Sequence, residues 1–204
     1  MSTKYTLNVT NNTTQTGDFM VFQESPDANV SNVRTLAWLA MTAHPTADLE
    51  FQWSLDYSFV WTKTTDLKPG TVVNTGQTWA ANLNTSNQIT LDEHSEDAYT
   101  FSDQSQGLSD GTLQIDQANS VQSGDVSVGI GMSGKAAFLV EARPNAKVIM
   151  TPKEKPTYWL VHGDYQEGQV LDTNEVAKNA CRIEFDETQS MEVSLNHDNT
   201  WSIG

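Results

Sequence analysis

The sequence predicts an all-β fold: a β-sandwich of many short, mostly antiparallel strands, with one short helix near residues 32–43, in one domain spanning 1–204. Three observations carry this. First, "DLEFQWSLDYSFVWTK" places Leu49, Phe51, Trp53, Leu55, Tyr57, Phe59 and Trp61 at every second position, the period of a strand with one covered face. Second, more than a dozen short apolar runs follow, separated by Gly, Asn, Asp, Ser or Pro, the spacing of a sandwich or a partly closed barrel. Third, Thr, Asn, Ser and Gln are plentiful and 37% of residues are apolar, a composition that favours strands and turns around a core.

The elements follow in chain order. "KYTLNVTNN" alternates Tyr5, Leu7 and Val9 with polar neighbours, a half-covered strand, and "DFMVFQ" is its returning partner. In "SNVRTLAWLAMTAHP", Val33, Leu36, Ala37, Ala40 and Met41 recur at helical spacing. Ser31 or Asn32 stands where a cap would be and Pro45 where a helix stops. The 49–61 ribbon, about 40 Å if straight, is one long strand or two joined by a bend near Asp56, with its even-numbered side wet. After Pro69-Gly70 come the short strands, among them "TVVN", "QTWAANL", "DVSVGIG", "KAAFLVEA", "TYWLVHG" and "GQVLD". "TNEVAKNA" reads as one short helical turn.

"SVGIGMSGKAAFLVEARP" spaces Gly129, Gly131 and Gly134 like a dinucleotide loop. That loop needs a long helix after its third glycine; here Pro144 allows about two turns at most, and Phe138, Leu139 and Val140 favour a strand. A triphosphate loop needs Ser or Thr after its lysine, and Ala136 follows Lys135. The stretch is therefore expected to be a hairpin, with Gly134 in the turn and Gly129 and Gly131 at a bulge or a close backbone approach.

The formal net charge is −15. No basic footprint exists for nucleic acid or anionic lipid, and no window is long and apolar enough to insert into a membrane. Charge is uneven. Between Lys68 and Lys135 there is no cation, while Asp92, Glu93, Glu96, Asp97, Asp103, Asp110, Asp116 and Asp125 are present. The stretch 135–155 carries five cations against two carboxylates. A solvated surface explains this segregation; so does a contact between unlike faces in a homo-oligomer.

Each candidate site has a competing structural role. Carboxylates crowded into "LDEHSEDAY" (Asp92, Glu93, His94, Asp97) are what calcium uses, but the ligand order of a known loop is missing; a solvated acidic loop is the competing reading. His44, His94, His162 and His197 are not at zinc spacing, and no resident cofactor is expected. His162 with Asp164 and His197 with Asp198 are sequence neighbours that need not share a face. Cys181 is read as a buried, inert thiol. Trp38, Trp53 and Trp61 are read as core, and Trp79, Trp159 and Trp201, with polar flanks, as rings able to stack on a sugar. The N-terminus lacks a signal-peptide core; the default expectation is the cytoplasm, with leaderless export or release as the alternative.

The segments "VSNVRTLAWLAMTAHP", "FQWSLDYSFVWTKT", "QTWAANLNTSNQITL", "SVGIGMSG", "GQVLDTN" and "LNHDNTW" resemble the rhizosphere-induced protein RhiA family over most of the chain. The resemblance implies a protein of root- or other host-associated bacteria, with expression tied to population density (quorum sensing) and a place in plant–microbe interaction. It implies no enzymatic activity and brings no catalytic residues. The expectation is a non-enzymatic protein binding a glycan or surface ligand. The alternatives are a self-associating structural or storage protein and, third, a hydrolase with a dispersed site.

Overall fold

The computed structural model describes residues 3–95, 98–107 and 109–204. The chain runs back and forth between two β-sandwiches. Strands β1 (Lys4–Asn11) and β2 (Gly17–Gln23) open the first, and the chain crosses to the second for β3 (Asp27–Ala28) and β4 (Arg34–Thr35). It returns for β5 (Leu39–Ala43) and β6 (Asp48–Ser54). The second sandwich is then completed by β7 (Tyr57–Thr62), β8 (Gln77–Ala80), β9 (Gln88–Ser95), β10 (Ala98–Ser105), β11 (Leu113–Gln117), β12 (Ser127–Met132), β13 (Lys135–Glu141) and β14 (Lys147–Thr151). A last crossing leads to β15 (Tyr158–Gly163), helix α1 (Thr173–Val176), β16 (Cys181–Ile183), β17 (Ser190–Leu195) and β18 (Trp201–Ile203).

The first sandwich pairs the sheet β18-β17-β1-β6 with β16-β15-β2-β5, and the second pairs β10-β9-β11-β14-β3 with β4-β13-β12-β7-β8. The β1–β17 and β9–β11 pairings are parallel. Every other ladder among the described residues is antiparallel. The all-β sandwich expectation is met.

The alternation in the sequence decides which faces meet. Leu7, Val9, Phe51 and Trp53 turn inward against Phe19, Val21, Tyr158 and Leu160; the Trp53 and Tyr158 rings lie 4.8 Å apart. In the second sandwich Ile89, Leu91, Phe101 and Ile115 meet Phe59, Val128, Ile130 and Phe138. All of these belong to one continuous cluster fed by all four sheets. Each fully buried aliphatic or Phe side chain contributes about 1.5–3 kcal/mol of transfer free energy.

The helix expected at 32–43 does not form; the segment holds β4, a crossing, and β5. Leu36, Ala37 and Trp38 are consecutive and all fully buried, each in a different apolar cluster. A chain passing between layers is covered on every side, and that imitates the broad apolar face of a helix. The α-helix that does form is α1, inside "TNEVAKNA", capped by Asp172, which accepts from the N–H groups of Asn174 and Glu175.

The ribbon at 49–61 is two strands bent at Leu55–Asp56. Its wet side is wet only along β6. On β7, Ser58, Val60 and Thr62 are buried, because Leu36, Val73 and Val170 cover that outer face. "TVVN" and "GQVLD" give only isolated bridges, Val72 with Gln169 and Leu36 with Val170.

The glycine stretch is the β12–β13 hairpin. Ser133 (φ 51°) and Gly134 (φ 77°) make a two-residue turn with both residues left-handed, the form that matches strand twist. A Cβ on Gly129 would lie 1.9 Å from the Phe138 carbonyl oxygen, so only glycine lets those backbones approach.

Candidate functional site

A cleft lined by many polar groups lies at one end of the second sandwich, with a volume of about 600 Å³. Four pieces of chain, distant in sequence, build it: the β3–β4 loop, the turn after β7, the end of β11 and the β13–β14 loop.

Each piece is fixed locally. Asn29 accepts from the Ile149 N–H at 2.8 Å and donates to the Lys147 carbonyl at 3.1 Å, so its amide extends the edge of β14 and anchors the loop. Asn32 and Asn145 take left-handed conformations, φ 64° and 53°, which asparagine tolerates better than most residues. Gln117, only 4% exposed, accepts from the Arg143 N–H at 2.6 Å. Its own N–H reaches the Ala146 carbonyl at 2.9 Å. The β13–β14 loop is thereby tied to the end of β11.

The lining carries Arg34, Lys68 and Arg143 against Asp66 and Glu141. Lys68 is held by Asp66 at 3.0 Å. Neither Arg34 nor Arg143 is ion-paired among the described residues. The Gln117 Nε2 is covered and lacks a hydrogen-bond partner. Because Oε1 already receives the Arg143 N–H, the group left over is the amide's donor end.

The residues singled out from sequence lie elsewhere. Trp79, on edge strand β8, is 36% exposed. Trp159 is half-buried and stacks on Phe22, centroids 6.3 Å apart and planes at 15°. Trp201, also half-buried, donates its indole N–H to the Asn179 carbonyl and sets Phe19 edge-on at 6.2 Å. The three rings sit on three different sheets with no ring contact between any two, so they form no continuous platform.

Asp92, Glu93 and His94 are on strand β9, not in a loop; Asp97 falls outside the described residues. Asp92 accepts from the Ser120 hydroxyl. Among the described residues no three His, Cys, Asp or Glu side chains gather as a metal site.

His162 packs on Phe19 at 4.8 Å, and its Nε2 is covered without a partner. Burial pushes its pKa down, with Asp18 partly opposing. His197 is exposed on a shallow groove with Thr13, Pro45 and Asp198. The Thr200 hydroxyl and N–H occupy the Asp198 carboxylate and hold its pKa below the usual range. Cys181 is buried, and burial raises its thiol pKa.

Sequence reading missed Arg34, Arg143 and Gln117. Arg34 lay inside the misassigned helix, and Arg143 inside the basic stretch 135–155. No local pattern marks Gln117.

Fold and cleft define a protein of the β-sandwich class with a polar, arginine-bearing pocket at the loop end of one sandwich. The family model described as RhiA matches residues 2–204. Protein RhiA of Rhizobium leguminosarum bv. viciae is 30% identical to this chain over 204 residues, covering 98% of it and 86% of that relative. The chain belongs to the RhiA family. No solved structure matches it. Among the described residues no helix is long and apolar enough to cross a membrane.

Proposed function

We propose that this is a non-enzymatic binding protein of a host-associated bacterium, recognising a saccharide or related surface ligand in plant–microbe interaction, with production tied to population density. One observation carries the reading: the cleft of about 600 Å³, whose mixed lining includes amide, hydroxyl and guanidinium groups beside a few apolar side chains. Its size fits the usual range for small-ligand sites, and such groups recognise hydroxyl-rich molecules by hydrogen bonding. The rhizobial relative supports the ecological part. Calorimetry and a glycan array with plant and bacterial saccharides test it. Saturable heat from at least one saccharide is expected; flat responses from folded protein overturn it.

The second reading is self-association through unlike charged faces. It is favoured by the cation-free interval 69–134, which supplies strands β9, β10 and β11 of one sheet. Light scattering across a salt series separates the two, since a monomer at every salt concentration removes self-association.

A further inference from the structure

We infer that the cleft at the end of the second sandwich is an oxyanion site, and that its ligand is a carboxylate-bearing saccharide. The inference rests on the binding reading above and adds the chemistry of the ligand.

Two groups point to an anion, and a third is compatible with one. Two of the chain's three arginines, Arg34 and Arg143, line the same cleft without an ion-pair partner among the described residues, in a protein whose formal net charge is −15. A guanidinium recognises a carboxylate through two parallel N–H···O bonds. The third group is the Gln117 side-chain NH₂, buried and unpartnered at the cleft. Buried donors are normally satisfied, so this one leaves room for an acceptor oxygen, supplied by a water or by a ligand that reaches the end of β11. Its orientation is fixed, because turning the amide over would set two donors, the NH₂ and the Arg143 N–H, against each other.

The rest of the lining narrows the class. Ser31, Asn32 and Thr65 offer hydroxyl and amide groups suited to sugar hydroxyls. Asp66 is engaged by Lys68. Glu141 is the remaining carboxylate of the lining; it accepts from ligand hydroxyls and disfavours a multiply charged ligand. The balance of three cations to two carboxylates suits one carboxylate on a neutral, hydroxylated frame.

Calorimetry on the full chain uses a disaccharide of galacturonate, the neutral counterpart galactobiose, and inorganic phosphate. The acidic disaccharide is expected to bind about ten-fold or more tighter than the neutral one, and more weakly as salt rises. Arg34→Gln and Arg143→Gln are each expected to weaken it by about ten-fold, with unchanged melting temperatures. Equal binding of acidic and neutral sugars, unaffected by either variant, overturns this inference and leaves the saccharide reading standing. Phosphate binding as tight as the acidic disaccharide overturns the saccharide part of the inference. Binding of no sugar in this set or on the glycan array overturns the binding reading and this inference with it.

Discussion

Ser133 grips Ser54 at both ends of its backbone: the Ser133 hydroxyl oxygen accepts from the Ser54 N–H at 2.8 Å and the hydroxyl donates to the Ser54 carbonyl at 3.0 Å. The Ser133 N–H adds a bond to the Asp56 carbonyl at 3.0 Å. Ser54 ends β6 in the first sandwich and Tyr57 begins β7 in the second. The hairpin turn in the glycine stretch therefore clamps the crossing between the sandwiches. Ser133→Ala removes both side-chain bonds and is expected to lower stability by about 1–2 kcal/mol. Urea unfolding measures this, and an unchanged midpoint refutes the clamp.

Gly129 and Gly70 separate crowding from backbone strain. Gly129→Ala drives a methyl into the Phe138 carbonyl and is expected to cost about 3 kcal/mol. Gly70 has open space around it but φ 93°, so Gly70→Ala is expected to cost about 1–2 kcal/mol. Denaturant midpoints of the two variants rank them directly; the reverse order contradicts the hairpin geometry.

Trp38 joins the layers from within. Its indole N–H donates to the Met132 carbonyl at 3.0 Å, and its ring meets Trp53 at 5.6 Å and Tyr158 at 6.1 Å. Trp38→Phe leaves that carbonyl without the bond and opens a small void. A loss of about 2–3 kcal/mol is expected, read by far-UV circular dichroism in urea.

His162 sets a pH dependence. Burial lowers its folded-state pKa, so below the ordinary value of about 6.5 the unfolded chain takes up a proton that the folded chain refuses. Stability is full above that value and falls as the pH drops through it towards the depressed folded value. His162→Gln removes this contribution. Its unfolding midpoint is expected to drop less than the wild type's between about pH 7.5 and 5.5. Parallel profiles for the two proteins exclude the effect.

The strand class was legible because period-two alternation is local: Phe51 and Trp53 on β6, and Leu7 and Val9 on β1, face inward as their spacing requires. The hairpin was legible because Pro144 and Ala136 exclude both phosphate loops. Two things were hidden for one reason. The burial of Leu36, Ala37 and Trp38 depends on three separate clusters. The cleft depends on bringing Arg34, Gln117 and Arg143 together. Neither is written in a window of neighbouring residues, since each is set by which strands pair across the whole chain. The same limit applies to the aromatic residues: Trp79, Trp159 and Trp201 have similar polar flanks, and Trp79 and Trp201 both stand on edge strands, but only Trp79 is exposed while the other two are half-buried.

The β1–β17 pairing sets Thr6 beside Ser190 and Asn11 beside Leu195. During synthesis β1 thus has no neighbour on that side until residues 190–195 have been made, while the strands at 57–151 find most of their partners sooner. Leu7 and Val9 stay open to misdirected contacts through that interval. Closure of this sandwich is therefore the slower of the two, because its central pairing joins segments far apart along the chain.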